Sequence, residues 1–167
     1  GVLVSNTPGV LTDDTADMTM ALILAVTRRI PEGLAVMQRG DWQGWAPTAF
    51  LGGRVGGRRL GILGMGRIGQ AVARRAKAFG MQIHYHNRRR LPQDLEDGAG
   101  FHAEAEGLLP HAEFLSINCP ATAETHHFLD ARRIALLPDG AVVVNTARGV
   151  IVDDAALIAA LKSGKLA

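Results

Sequence analysis

Short apolar runs alternate with amphipathic segments through the last two thirds of the chain. Four runs have the length and composition of buried strands: Leu60–Leu63, Gln82–His86, Phe114–Asn118 and Ala141–Val144. The segments between and after them predict helices over Arg67–Phe79, Glu104–Leu109, Asp130–Leu136 and Asp153–Leu161, the last capped by Asp153. Strands separated by helices pair in parallel through right-handed crossovers, so the pattern predicts an α/β fold built on a doubly wound parallel sheet.

The first third of the chain has a different pattern. Val2–Val4 has the apolar character of a short strand, and a long apolar helix then begins with Thr12 as its cap and two acidic residues in its first turn. Pro31 is expected to end or kink this helix, and a second helical piece runs on to Gly40. The stretch Asp41–Gly57, rich in glycine and carrying both tryptophans, is expected to be a loop. These segments predict a helical arm followed by a long loop.

The composition indicates one folded domain over residues 1–167. Hydrophobic residues make up 47% of the 167 residues and charged residues 20%, which excludes a disordered chain. The longest apolar stretch, Ala21–Val26, is too short to cross a bilayer, and no signal-peptide pattern is visible. A single cysteine, Cys119, excludes an internal disulfide and predicts a cytoplasmic protein, and the histidines lack the spacing of a metal site.

The basic residues are segregated along the chain. The net charge is only +2, yet residues 54–90 contain ten lysines and arginines and no acid. Such a block is typical of a nucleic-acid surface or of a pocket for a small polyanion. Only Phe79 and Tyr85 are aromatic within it, and ordered apolar periods interrupt it, so nucleic-acid binding is the weakest of the functions considered.

Residues 64–69 form a G-x-G-x-x-G motif between a predicted strand and a predicted helix. Gly64 permits a tight turn, Gly66 lets the backbone approach a pyrophosphate, and Gly69 lets the helix pack close to the strand. The free N–H groups around Arg67 and Ile68, at the positive end of the helix dipole, favour an anion. The motif therefore predicts a Rossmann-like dinucleotide-binding domain, against the alternative of a ligand-free glycine-rich turn.

The turn after the second strand bears on which dinucleotide is bound. An NAD site usually has an acidic residue here, but the sequence has Asn87 followed by three arginines. Asn87 removes the charge that would repel a 2′-phosphate, and Arg88 and Arg90 are the expected phosphate contacts. The turn favours NADP(H), with NAD(H) still allowed and a solvated basic turn as the alternative.

Several motifs together resemble the cofactor domain of the D-isomer-specific 2-hydroxy-acid dehydrogenases. The resemblance covers essentially the whole chain, in order, and the turn at Asn87 is similar to the glyoxylate/hydroxypyruvate reductase branch, which commonly uses NADPH. The matching segments are Ser5–Val10, Asp14–Asp17, Leu63–Gln70, Asn118–Pro120, Thr125–His127 and Asn145–Gly149.

The resemblance implies roles for individual residues. Arg148 would bind the carboxylate and carbonyl oxygen of a small 2-oxo acid, a role that suits a planar guanidinium; an arginine in a surface ion pair is the alternative. Cys119 would lie near the adenine, although a small buried hydrophobic role explains it equally well. The other cofactor contacts implied by the motifs are Thr15, Pro120, Thr125, Thr146 and Ala147.

The chain also departs from that family. The family's catalytic glutamate and histidine lie beyond the arginine, and the sequence ends at Ala167 before either; His126 and His127 precede the arginine and do not match. The substrate domain is absent too, so we expect this polypeptide to bind NADP(H) without reductase turnover.

Two interpretations stay open. The arm and loop over residues 12–57 resemble the family's dimerisation elements and predict a homodimer, whereas a helix that simply covers the sheet is the alternative. A cofactor domain can also serve as a non-catalytic NAD(P)-sensing module, because the same fold hosts both functions. The arginine in its substrate-like motif favours the enzyme.

Overall fold

The computed structural model describes residues 2–167 and has a five-stranded parallel sheet with helices on both faces. The strands are β1 (Arg59–Leu63), β2 (Gln82–His86), β3 (Gly100–His102), β4 (Phe114–Ile117) and β5 (Val142–Asn145). The α-helices are α1 (Thr12–Thr27), α2 (Ile30–Arg39), α3 (Arg67–Ala78), α4 (Gln93–Glu96), α5 (Ala105–Leu108), α6 (Ala131–Leu136) and α7 (Asp154–Ser163). The predicted α/β class and doubly wound sheet are confirmed.

The strand order is β3-β2-β1-β4-β5, so the winding direction reverses at β1. Leu63, the last residue of β1, pairs with His86 on one side and Ile117 on the other. The segments that follow β1, β2 and β4 therefore leave the sheet at the same level. Ligands bind in such a crevice because the chain diverges there to the two faces of the sheet.

Two apolar cores hold the layers together. One face of the sheet packs against α1 and α3, with Ile23, Ile62 and Tyr85 fully buried. The other face packs against α5, α6 and α7, with Leu108 and Ile151 fully buried. Because helices cover both faces, the central strands β1 and β4 are buried at almost every position. In β2, two buried residues instead alternate with polar residues that are less buried.

The structure corrects the expectations for the first residues of the chain. Val2–Val4 is exposed and forms no strand. Leu11 is the N-cap of α1, so Thr12 is its first residue rather than its cap. The helices separate at Arg29, which has the left-handed φ of 55°, and Pro31 lies in the first turn of α2, where its missing N–H costs nothing. The arm is two helices, and the break precedes the proline.

The third strand and α4 were missed by the pattern. Gly100–His102 is only three residues long and pairs on one side only, with β2. An edge strand this short carries too few apolar positions for an alternation to be recognised. The four strands predicted after residue 59 agree with β1, β2, β4 and β5 to within one residue. Asp153 caps α7, as predicted, by accepting from the N–H of Ala156.

No helix within residues 2–167 combines the length and apolar character that a membrane span requires. Over the same residues, the histidine, cysteine and acidic side chains form no cluster of three arranged to hold a metal ion.

Candidate functional site

The glycine motif forms the turn between β1 and α3, and its three glycines are required for different reasons. Gly64 has φ of +98°, and a Cβ there would lie 2.6 Å from the backbone nitrogen of Cys119. A Cβ on Gly69 would collide with the carbonyl oxygen of Gly64 and meet Ile62 at 3.1 Å. A Cβ on Gly66 would meet no atom within 4 Å, and Gly66 is exposed. Two glycines are therefore required by the fold, whereas Gly66 borders open space.

The start of α3 presents unpaired backbone donors to that space. The first backbone bond at this end runs from the N–H of Gln70 to the carbonyl of Gly66. The N–H groups of Gly66, Arg67 and Ile68 donate to no acceptor within residues 2–167. Such donors at the positive end of a helix dipole attract an anion, and the Arg67 side chain is exposed beside them.

Asn87 links the turn after β2 to the glycine motif. Its Oδ1 accepts a hydrogen bond of 2.7 Å from the N–H of Met65. This bond fixes the amide beside the glycine turn, where it replaces the acidic side chain of a typical NAD site. Asn87 thus has a structural partner that the sequence did not reveal.

The three arginines that follow Asn87 differ in their surroundings. Arg88 and Arg89 are exposed and form no ion pair in the described part of the chain. Arg90 donates from Nε and Nη2 to the two carboxylate oxygens of Glu96, at 2.8 and 3.0 Å. Hydrogen bonds from Arg90, and then from Tyr85, hold the pKa of Glu96 below its usual value. Sequence reasoning missed Glu96, which lies on α4, and its pairing leaves Arg88 and Arg89 as the uncommitted cations.

The segment after β4 closes the other side of the crevice. The Cys119 backbone packs against Gly64, its side chain is partly buried, and burial raises the pKa of its thiol. Thr125 Oγ1 donates to the carbonyl of Pro120 at 2.8 Å and fixes the loop between them. A deprotonated Cys119 nucleophile is therefore disfavoured, and Thr125 has a loop-closing partner.

An open cleft of about 350 Å³ lies against the glycine turn. Gly66, Arg67, Ile68 and Asn118 line it, together with residues 7 and 9–12 of the N-terminal segment. The Oδ1 of Asn118 is buried and has no hydrogen-bond partner between residues 2 and 167. A buried acceptor of this kind normally has a partner, so Asn118 Oδ1 is a candidate acceptor for a ligand hydrogen bond. The sequence analysis named Asn118 only as part of a motif and assigned it no contact.

Arg148 lies in the loop that follows β5. The Asn145 side chain donates to the carbonyl of Arg148 at 2.9 Å and accepts from the N–H of Ala147 at 3.0 Å, so it holds the loop at both ends. Arg148 is exposed, and its guanidinium bonds only to the carbonyl of Ala147 and to no acidic side chain that the structure describes. The predicted alternative of a surface ion pair finds no support there.

The arm helix α1 reaches the same loop. Thr19 is fully buried, its Oγ1 lies 2.9 Å from Thr146 Oγ1, and it also donates to the carbonyl of Thr15. Thr15 is partly exposed and lies one helical turn before Thr19, toward the end of α1 that lines the cleft. The structure thus brings Thr15 and Thr146 together through Thr19.

These features fit a dinucleotide. The open space at Gly66 and the free N–H groups suit a pyrophosphate, and the buried Asn118 oxygen can accept from a hydroxyl or an amide. The turn after β2 has cations and no free acid for the adenosine ribose.

Comparison with known proteins agrees with this geometry. Residues 20–167 match the family described as D-isomer specific 2-hydroxyacid dehydrogenase, NAD binding domain. The glyoxylate reductase of Thermococcus litoralis is 47% identical over 171 residues, which cover 100% of this chain and 52% of that protein.

Solved structures give the same result. A Polaromonas sp. JS6 66 protein assigned to that family has a TM-score of 0.94 and 49% identity over 96% of this chain and 50% of its own. A glyoxylate reductase from Paecilomyes thermophila has a TM-score of 0.91 and 42% identity over 99% of this chain and 49% of its own. The chain spans about half the length of the relatives it matches.

Proposed function

This chain belongs to the D-isomer specific 2-hydroxyacid dehydrogenase family, and from that premise we propose that it binds NADP(H) for hydride transfer to a small 2-oxo acid such as glyoxylate or hydroxypyruvate. The complete enzyme would also run the reverse reaction on the 2-hydroxy acid. The observation that carries the proposal is the open crevice at Gly66, flanked by free N–H groups and by the uncommitted arginines after β2.

Each part of the crevice has a defined task in this proposal. The N–H groups of Gly66, Arg67 and Ile68 neutralise the pyrophosphate, and Asn87 and Arg88 receive the adenosine ribose and its 2′-phosphate. Bound NADPH supplies hydride from its nicotinamide ring. Arg148 binds the substrate carboxylate and polarises the carbonyl oxygen, which orients the substrate and stabilises the developing negative charge.

Cofactor preference is tested by titrating the chain with NADPH and NADH. We expect tighter binding of NADPH, and we expect Asn87→Asp to reverse the order because a carboxylate repels the 2′-phosphate and accepts from the 2′-hydroxyl. Tighter NADH binding by the unaltered chain, persisting in Asn87→Asp, contradicts the preference.

Turnover is tested on the same 167-residue polypeptide. No histidine follows Arg148 within it to donate a proton to the carbonyl oxygen, so we expect NADPH binding without glyoxylate-dependent NADPH oxidation. Measurable oxidation by the purified polypeptide contradicts this expectation.

We extend the proposal to a homodimer formed through the arm. Six large apolar side chains of α1 and α2 are well exposed, and exposed apolar side chains grouped on neighbouring helices are typical of a protein–protein contact surface. They are Met18, Leu22, Val26, Ile30, Leu34 and Met37. A second copy of this chain would cover them.

A cytoplasmic location is also part of the proposal. It is supported by the single cysteine, whose thiol needs a reducing compartment to stay unmodified. Fractionation of the source cells, with the protein recovered in the cytoplasmic fraction, tests it.

A further inference from the structure

The turn between β2 and α4, residues 87–91, is anchored at both of its ends. At its start, Asn87 accepts from the N–H of Met65. At its end, the N–H of Leu91 donates to the hydroxyl of Tyr85 at 3.1 Å, and the Arg90 guanidinium lies 5.6 Å from the centre of the Phe101 ring. In the middle of the turn, Arg88 and Arg89 make no such contact with any residue from 2 to 167.

Glu96 joins these anchors. It is 4% exposed, although it lies on a four-residue helix near the protein surface. Its Oε1 accepts from the Tyr85 hydroxyl at 2.5 Å and from Arg90 Nε at 2.8 Å, and its Oε2 accepts from Arg90 Nη2. A buried carboxylate is tolerated only when it is hydrogen-bonded and paired, and Glu96 meets both conditions.

The three arginines of the turn differ in whether they have a carboxylate partner. Glu96 neutralises Arg90 through a two-point contact, which also fixes the direction of the Arg90 side chain. Glu96 itself is thereby prevented from acting as the ribose-binding acid of an NAD site or from repelling a phosphate. Arg88, which follows Asn87, makes no ion pair within residues 2–167, and its charge is a minor cause of the lowered pKa of Glu124, after a hydrogen bond from Thr122.

We propose that Glu96 is a positioning residue for the cofactor's 2′-phosphate. By holding Arg90 directly and Leu91 through Tyr85, it fixes the turn in the shape that presents Arg88 to the phosphate. Arg90 is then part of the support rather than a phosphate contact. This inference rests on the proposed preference for NADP(H).

The test uses two small probes on the full 167-residue chain. Adenosine 2′,5′-bisphosphate carries the 2′-phosphate and adenosine 5′-monophosphate lacks it, so the ratio of their dissociation constants isolates that group. Calorimetric titration measures both dissociation constants, and thermal melting monitors the fold.

Arg74→Ala is the matched control for Arg88→Ala, because Arg74 is an exposed cation on α3. Glu32→Gln is the matched control for Glu96→Gln, because Glu32 pairs with Arg29 on the arm.

Arg88→Ala is expected to weaken the bisphosphate about tenfold or more, the value of a charge-assisted contact, and to leave the monophosphate unchanged. Glu96→Gln is expected to weaken the bisphosphate selectively as well, because Arg90 loses its charged partner and the turn loosens. Neither control changes the ratio. If Glu96→Gln does not fold, Tyr85→Phe replaces it as the test variant. This substitution removes only the hydroxyl that holds Leu91 and Glu96, and we expect it to shift the ratio in the same direction.

The outcomes separate the two hypotheses. A ratio unchanged in Arg88→Ala overturns the proposed 2′-phosphate site itself. If Arg88→Ala removes the preference for the bisphosphate but Glu96→Gln and Tyr85→Phe leave the ratio of dissociation constants unchanged, the 2′-phosphate site is supported and the role of Glu96 is overturned. Equal weakening of both probes in Glu96→Gln and Tyr85→Phe assigns Glu96 to general stability and also overturns it.

Discussion

Adding one methyl group to each of two glycines in the turn between β1 and α3 separates folding from ligand binding. Gly64→Ala puts a Cβ on a residue with φ of +98° and within 2.6 Å of the Cys119 backbone. Left-handed strain costs about 1–2 kcal/mol for a residue with a Cβ. Overpacking against a backbone that cannot move aside costs about 1–3 kcal/mol more. A total near 3 kcal/mol lowers the Tm by roughly 9 °C in a chain of this size.

Gly66→Ala has the opposite profile. Gly66 has φ of −78° and an extended ψ, which alanine adopts freely, and the new Cβ meets no atom of the protein within 4 Å. The loss of a glycine at an N-cap and the reduced freedom of the unfolded chain nearly cancel, so the Tm stays within about 3 °C of the unaltered protein. The methyl group instead occupies the space where the pyrophosphate would approach the free N–H groups. We expect NADPH affinity to fall about tenfold or more, a loss of about 1.4 kcal/mol of binding free energy.

Thermal melting by circular dichroism and titration of NADPH fluorescence measure the two effects on the same samples. Gly33→Ala is the matched control, because its Cβ would also meet nothing within 4 Å but it lies on α2, away from the crevice. It should change neither the Tm by more than about 3 °C nor the affinity. If Gly66→Ala binds NADPH as tightly as the unaltered chain, the phosphates do not lie at this turn and the assignment of the crevice is refuted.

Further predictions concern the substrate, the arm and the histidines. In the intact enzyme, Arg148→Lys should lower kcat/KM for glyoxylate at least about tenfold, because a lysine cannot make the two-point contact, while NADPH affinity is unchanged; unchanged turnover removes Arg148 from the active site. Leu34→Glu should shift the chain from dimer to monomer in sedimentation velocity, since Leu34 is 55% exposed on the apolar face of α2, and a wild-type monomer contradicts the dimer. Burial, followed by the charge of a neighbouring histidine, lowers the pKa of both His84 and His102, so the unfolded chain binds more protons and the free energy of unfolding should fall as the pH drops below about 6.5. The test is the difference between the urea midpoints at pH 8 and at pH 5.5. We expect this difference to be smaller when His84 and His102 are both replaced by glutamine than in the control variant His126→Gln. Equal differences in the two variants contradict the assignment of the pH dependence to His84 and His102.

Local sequence determined most of the secondary structure. Short apolar or alternating runs bounded by turns predicted β1, β2, β4 and β5, because a strand must carry apolar side chains on each face that it buries. The glycine motif was readable for a related reason: a left-handed turn and a close helix–strand contact each exclude a Cβ, so the residue type itself records the geometry.

The same local rules failed where the outcome depended on partners. The pattern missed β3 because a three-residue edge strand takes its stability from pairing with β2. The arm broke at Arg29 rather than at Pro31, since a proline fits the first turn of a helix as well as it ends one.

Sequence alone determined that the chain winds a parallel sheet past a glycine turn suited to a dinucleotide, because periodicity and glycine positions act over a few residues. Only the tertiary structure decided which cations of the basic block form ion pairs. The block contains ten cations and no acid, yet five of its cations pair with acidic residues outside it: Arg58, Arg59, Arg75, Lys77 and Arg90. Charge acts through space rather than along the chain, so folding alone determines which cations have a carboxylate partner and which, like Arg88, have none within residues 2–167.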